Sequence, residues 1–257
     1  GKWHLGRAEG LRPLDQGFNE FLGFLGGGAK FMEEDDPNVV NSKQDYDPID
    51  KYLWPNLSYG VQHNNGARFK PNSHMTDYFS REAIKSIEAN KNRPFFMYLA
   101  YNAPHTPLQS EKGDYDALSH IEDHTERTYA GMIRGLDRGI GQVLQALEDN
   151  GIDDNTIVVF TSDNGGAHYV GLPDLNKPYR GWKMTFFEGG IHTPYFIRWT
   201  DRIPANSQYD AAVAHIDIFS TVLAAAGVEQ PHDRVIDGVN LLDHALAEPP
   251  KALNRPL

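Results

Sequence analysis

Residues able to do chemistry fall in four short islands of this 257-residue chain. The opening GKWHLG sets Lys2 and His4 between two glycines, a combination that also fits an ordinary chain terminus. In YNAPHTPL, His105 stands between Pro104 and Pro107, whose fixed backbone suits holding one imidazole in a set direction. A surface turn histidine would read the same way. In TIVVFTSDNGG, Asp163 and Asn164 follow a continuous apolar run, and their carboxylate and amide oxygens are hard donors of the kind Ca²⁺ or Mg²⁺ prefers. A plain turn after a buried strand accounts equally for Asp-Asn-Gly-Gly. The fourth island, KMTFFEGGIHTP, is headed by Lys183.

The elements that must position these groups follow from periodicity. Residues 157–160 are β-branched or aromatic without alternation, which predicts a strand covered on both faces, as in a parallel sheet. Residues 94–101 read as a second such strand. Between them, Tyr129, Met132, Ile133, Leu136, Ile140, Val143, Leu144 and Leu147 recur at helical spacing and predict a helix over 125–147, stopped at Asn150-Gly151. Strand, helix and strand form a right-handed βαβ unit, with His105 and Asp163 at two carboxyl ends of one sheet. A further helix is expected over 76–90, capped by Thr76, with Phe79, Ala83, Ile84 and Ile87 on one face. Residues 195–199 read as a short strand, and 217–226 as a helix capped by Asp217. The glycine-rich 18–31 is a loop packed over a site and only weakly similar to a phosphate cradle, since no Lys-Ser/Thr pair follows. The Asp-, Asn- and Pro-rich 33–66 is an irregular excursion. The class is α/β, a mostly parallel mixed sheet between helices.

Length allows one large domain, here 1–245, with 246–257 as a tail or the start of a further subdomain marked by Pro249-Pro250. A net charge of −11 argues against a nucleic-acid partner, while leaving room for a small anionic substrate held by local cations. Without cysteine there is no disulfide framework and no thiolate metal site. No apolar run reaches the ~20 residues of a membrane span.

Taken together and in this order, GKWHLG, YNAPHTPL, TIVVFTSDNGG and KMTFFEGGIHTP resemble the sulfatases, formylglycine-dependent enzymes of the alkaline phosphatase superfamily. VAHIDIFSTVLAAAG and DGVNLL resemble the helix and turn that close the family's main domain. The resemblance runs from residue 1 to about 245. It implies an arylsulfatase-like sulfuric ester hydrolase acting on sulfate monoesters, in particular of sulfated carbohydrates, in the periplasm or outside the cell. It implies Asp163 and Asn164 as ligands of a divalent cation, Ca²⁺ or alternatively Mg²⁺. Lys2 would bind a sulfate oxygen, His4 would take a proton as the covalent sulfate ester breaks down, and His105 and Lys183 would contact the sulfate and assist the leaving alcohol. His168 and Arg180 are candidates for touching the sugar, with 27–70 and 167–182 as specificity loops. The chain departs from the family in two ways. It has no Cys, and none of its Ser residues stands in Ser-x-Pro-x-Arg, so the formylglycine is expected upstream of Gly1. The family's strand ending in paired Asp is also absent, since neither Asp35-Asp36 nor Asp153-Asp154 follows a buried run. A phosphodiesterase or phosphonate hydrolase of the same superfamily, and a non-catalytic sulfate-binding homologue, are the alternative readings.

Overall fold

The computed structural model describes residues 1–246, 253 and 255, so most of the expected 246–257 tail, with Pro249-Pro250, lies outside the described residues. In chain order the elements are β1 (Leu22–Gly23), β2 (Val39–Ser42), α1 (Pro48–Asn56), β3 (Val61–His63), β4 (Arg68–Phe69), α2 (Met75–Asn90), β5 (Leu108–Glu111), α3 (Lys112–Asp116), α4 (His124–Asp149), β6 (Val158–Thr161), α5 (Glu188–Ile191), β7 (Tyr195–Arg198), α6 (Ile216–Ala225) and α7 (Leu242–Ala245). Packing divides the chain into two units. One is Gly1–Asn150 with Asn164–His192, the other Gly151–Asp163 with Thr193–Leu257.

The core of the first unit joins Phe24, Phe31, Val61, Met75, Phe79, Leu108 and Met132. Helix α4 begins where Asp123 accepts the Glu126 amide at 2.7 Å, satisfying one donor that the first turn leaves unpaired. Its innermost face is not the expected apolar stripe. Met132 and Leu147 are buried, but Ile133 is exposed and Leu136, Ile140, Val143 and Leu144 are half-buried. The closest approach is made by Gly131, Gly135 and Gly139, one per turn. A Cβ at Gly131 would strike Ser110, at Gly135 it would lie 2.9 Å from Asp114 Oδ2, and at Gly139 it would strike Ser80. Helix α2 starts one residue before Thr76, which is therefore not its cap but a buried first-turn residue.

Strand pairing departs from the expected parallel sheet. β1-β3-β4, β2-β5 and β6-β7 are antiparallel ladders, and among the described residues parallel pairing appears as isolated bridges, Lys2↔Phe24 and Lys30↔Tyr59. The class is mixed α/β, as expected, but among the described residues β6 pairs antiparallel with β7 within the second unit, and in the first unit the extended run 94–102 borders the amino-terminal residues through Lys2 N–H to Ala100 O at 2.8 Å. Along that run Phe95, Met97 and Leu99 are half-buried, whereas Phe96 and Tyr98 are 61% and 55% exposed. The run therefore has one covered face, not two.

In the second unit, α6 buries polar rather than apolar residues. Asp217 lies inside the first turn, not at the cap, and accepts the amides of Ala214 and Val239 at 2.8 and 3.0 Å. Ser220 donates to Gly238 O at 2.9 Å and Thr221 accepts the Leu241 amide at 3.0 Å. The DGVNLL turn is thereby fastened to the helix. No helix among the described residues is long and apolar enough to cross a membrane.

One polar cluster ties four elements of the first unit together. Arg138 of α4 donates to Asp77 of α2 at 2.9 Å and to Glu111 of β5 at 3.1 Å, and both Arg138 and Arg134 reach the buried Asp114 of α3. Burial, then the Asp77 carboxylate, push Glu111 from its ordinary 4.5 up to about 7, against the pull of Arg138.

Two outcomes test this packing. Gly139→Ala should destabilise by about 1–3 kcal/mol through overpacking. Gly141→Ala, in the same helix with nothing near its Cβ, should instead stabilise by about 0.5–1 kcal/mol, both read from urea midpoints. Because the folded pKa of Glu111 is raised, its stabilising contribution is complete below 4.5 and lost as pH rises through about 7. Glu111→Gln should flatten the fall in urea midpoint across that window.

Candidate active site

The first island is not a frayed end. Trp3 N–H donates to Phe24 O at 3.0 Å, Phe24 N–H to Gly1 O at 3.2 Å, and Lys2 N–H to Ala100 O. Trp3 is buried, its indole donating to Leu11 O at 2.9 Å and meeting Phe18 edge-on at 5.9 Å. The main chains of Gly1 and Gly23 run so close that a Cβ on Gly23 would overlap the Gly1 carbonyl. Lys2 is thus anchored by its backbone on two sides. His4 follows in the left-handed region at φ 54°, a conformation uncommon outside glycine that histidine, asparagine and aspartate adopt more often than other residues. Its ring lies over Gly27, where a Cβ would stand 2.6 Å from Nε2. Gly27 thus admits an imidazole, while a Cβ on Gly26 would strike the Arg7 guanidinium and one on Gly28 would lie 3.2 Å from Leu57 Cδ1.

His105 stands at the turn after the extended run, its N–H donating to Asn102 O at 2.9 Å, and both bracketing X-Pro bonds are cis. Its Nδ1 lies 2.6 Å from Thr106 O. A carbonyl only accepts, so Nδ1 carries the proton and Nε2 of the neutral ring presents a lone pair. Lys183 Nζ approaches that Nε2 at 3.3 Å. The ammonium donates, and the two groups form a pair in which a proton can be shared. Thr106 is held in turn by Asp50, buried at 1% exposure, which accepts Thr106 Oγ1 at 2.7 Å, the Gln44 amide at 2.8 Å and the Trp54 indole at 3.1 Å.

Lys183 is placed by main-chain contacts between the third and fourth islands. Its N–H donates to Gly166 O at 3.1 Å, and Gly165 N–H donates to Gly190 O at 3.0 Å. A Cβ on Gly165 would overlap the Gly189 carbonyl. Asn176 closes the arrangement with two bonds to Gly166, accepting its N–H at 2.8 Å and donating to its carbonyl at 2.9 Å. Met184, next to Lys183, is also left-handed at φ 77°. Two strained non-glycine backbones thus stand at or beside site residues, where such strain tends to collect.

The structure brings His105 and Lys183 together and sets His4 and His105 against neighbouring glycines, since a Cβ on Gly28 would lie 3.6 Å from His105 Cε1. Asn164 Nδ2 donates to Gly165 O at 2.9 Å, and its amide oxygen is a hard donor of the kind a divalent cation takes. Asp163 ends the β6 segment of the second unit, where His215 Nε2 binds Ser162 O at 2.8 Å. Carboxylate and amide oxygens suit a hard cation, but Ca²⁺ takes about 6–8 oxygens, so the pair fits part of a coordination shell. No cluster of three His, Cys, Asp or Glu able to hold a metal occurs among the described residues. Of the candidate sugar contacts, His168 packs 4.5 Å from the Trp182 ring, and Arg180 lies 4.1 Å over Phe187. A groove of about 590 Å³ between α2 and α4, lined by Asp77, Arg81, Glu88 and Arg138 among others, contains none of these groups. Asp50, Asn102 and Asn176 are the positioning residues that motif reading passes over. The only hint was an Asp or Asn inside an otherwise irregular segment.

The Sulfatase family model matches residues 1–228. The chain is 32% identical to an uncharacterized sulfatase, YdeN, of Escherichia coli (strain K12), covering 96% of this chain and 40% of that protein. It is 32% identical to N-acetylgalactosamine-6-sulfatase of Homo sapiens, covering 100% of this chain and 47% of that protein. Among solved structures, Ps i-CgsB in complex with k-i-k-neocarrahexaose matches with TM-score 0.80 at 35% identity, over 94% of this chain and 53% of that one. The chain thus spans about half the length of these relatives or less.

Asp50→Ala should strand three buried donors, each costing about 1–3 kcal/mol. The expected result is a large fall in thermal midpoint, with the His105 region losing hydrogen-exchange protection first.

Proposed function

The chain belongs to the sulfatase family, and on that premise we propose that the protein hydrolyses sulfate monoesters of carbohydrates. The observation that carries this reading is the His105–Lys183 pair, Nε2 to Nζ at 3.3 Å, with the His105 tautomer fixed from behind by Thr106 O. A sulfate monoester is a monoanion, and negative charge grows on the bridging oxygen as the S–O bond breaks. Lys183 is the cation for that charge. His105, its Nδ1 already committed, offers Nε2 as the single position for a proton destined for the leaving alcohol; positioned acids of this kind contribute about 10²–10⁴-fold. Lys2 holds a sulfate oxygen and His4 takes up a proton in the later breakdown step. Asp163 and Asn164 would hold part of a Ca²⁺ or Mg²⁺ shell, and that ion would supply charge stabilisation to the sulfate oxygens. The nucleophile is a formylglycine outside these 257 residues, which contain no Cys and no Ser-x-Pro-x-Arg.

A carbohydrate substrate is supported by two similar proteins, one solved with a neocarrahexaose and one named for N-acetylgalactosamine-6-sulfate chemistry. His168 and Arg180 would touch the sugar from 167–182, and 27–70 would shape the opposite wall. Placement in the periplasm or outside the cell belongs to the same reading.

The test is sulfate release from sulfated oligosaccharides by the product of the complete gene, beside phosphate mono- and diesters. Sulfate release is expected, with Lys183→Ala and His105→Ala each lowering kcat/KM by about 10²–10⁴-fold. The 257-residue polypeptide alone should show no turnover. Faster cleavage of phosphodiesters would move the protein to the neighbouring chemistry, and sulfate binding without release would make it a binding protein.

A further inference from the structure

We propose that Asn102 and the glycines 27 and 28 are positioning residues, which together set the placement of His4 and His105 relative to each other. The inference rests on the sulfatase reading for its functional consequence, but not for its geometry. Both imidazoles use the same strip of main chain as their floor. His4 lies so close to Gly27 that a Cβ there would come within 2.6 Å of Nε2 and 2.7 Å of Cε1. His105 borders the next residue more loosely, since a Cβ on Gly28 would meet Leu57 Cδ1 at 3.2 Å and His105 Cε1 at 3.6 Å. Consecutive residues of a strip can hold two rings at a fixed separation only if the strip itself is held.

Asn102 holds it. The residue is 3% exposed, and its Nδ2 donates to Ala29 O at 2.8 Å, at the end of the glycine run. Its own carbonyl accepts the His105 N–H at 2.9 Å. One residue therefore bonds the strip through its side chain and the His105 turn through its main chain. The amide cannot be turned round, because that would set Oδ1 against the Ala29 carbonyl, acceptor against acceptor. In the orientation adopted, Oδ1 is buried without a hydrogen-bond partner.

The test uses the product of the complete gene with ¹³C-labelled histidine, reading Hε1–Cε1 signals and, separately, kcat and KM on a sulfate ester. Asn102→Asp keeps shape while replacing the donor with an acceptor. It should shift the His105 and His4 signals and lower kcat more than KM, on the order of 10²-fold, the scale on which small misplacements of reacting groups act. Gly27→Ala should move His4 strongly, and Gly28→Ala should move His105 weakly and leave His4 in place. Gly141→Ala, remote and uncrowded, should change neither. Unshifted imidazoles in Asn102→Asp and Gly27→Ala overturn the proposal, as does unchanged kcat despite shifted signals. Should Gly27→Ala fail to fold, Asn102→Asp decides. A protein that releases no sulfate yet shows the shifts retains the positioning and loses the sulfatase reading.

Discussion

Close approach of main chain to main chain, possible only where a residue lacks a Cβ, underlies the placement of Lys2 and Lys183. Gly1 and Gly23 meet carbonyl to α-carbon, as do Gly165 and Gly189, while a Cβ on Gly190 would strike the Thr185 carbonyl. These approaches let hydrogen bonds such as Gly165 N–H to Gly190 O form between loops that otherwise lack regular pairing. Loops held this way forgo the repeat of a sheet ladder, so their stability is concentrated in few bonds. Asn176 and Asn102 answer that weakness, each bonding a glycine-bearing strand of loop through a planar amide. The amide suits the task because it offers a donor and an acceptor on a short, stiff stem.

The electrostatics follow from this framework. With Nδ1 committed to Thr106 O, the reactive face of His105 is decided before substrate arrives. Lys183 then sees a lone pair rather than a second cation, and the two can stand 3.3 Å apart without repulsion. A buried carboxylate, Asp50, lies behind the same turn but spends its acceptor capacity on Thr106, Gln44 and Trp54. Asp50 thus acts on the site through Thr106, whose carbonyl accepts from His105 Nδ1.

Much of the site was legible because its groups sit in dense motifs. His105 follows a proline and the Asp163-Asn164 pair precedes two glycines, while Lys183 is recognised by its place in KMTFFEGGIHTP; the family resemblance that joins these islands is matched by the comparisons. Helices α2, α4 and α6 were legible too, since periodicity survives without knowledge of partners. Pairing was not. The apolar runs 94–101 and 157–160 carry no local mark of their neighbours, and reading them as adjacent parallel strands assumed contacts that the antiparallel β6-β7 ladder does not contain. Nor does sequence distinguish a glycine that turns the chain from one that admits another chain. Gly131, Gly135 and Gly139 have no part in the apolar periodicity of α4, and they are its contact surface.

That contact surface has a genetic consequence. Any single-base change in the first two positions of a glycine codon introduces a side chain or a stop, so there is no silent or shrinking route away from Gly131, Gly135 or Gly139. Leucine or valine elsewhere in the core can drift to a smaller apolar neighbour and leave only a void. At the three notches of α4 every missense step adds volume where Ser110, Asp114 and Ser80 already stand. The helix face that touches nothing catalytic is therefore among the least mutable stretches of the chain, and variation in α4 should be confined to the side that carries Ile133 and Gly141.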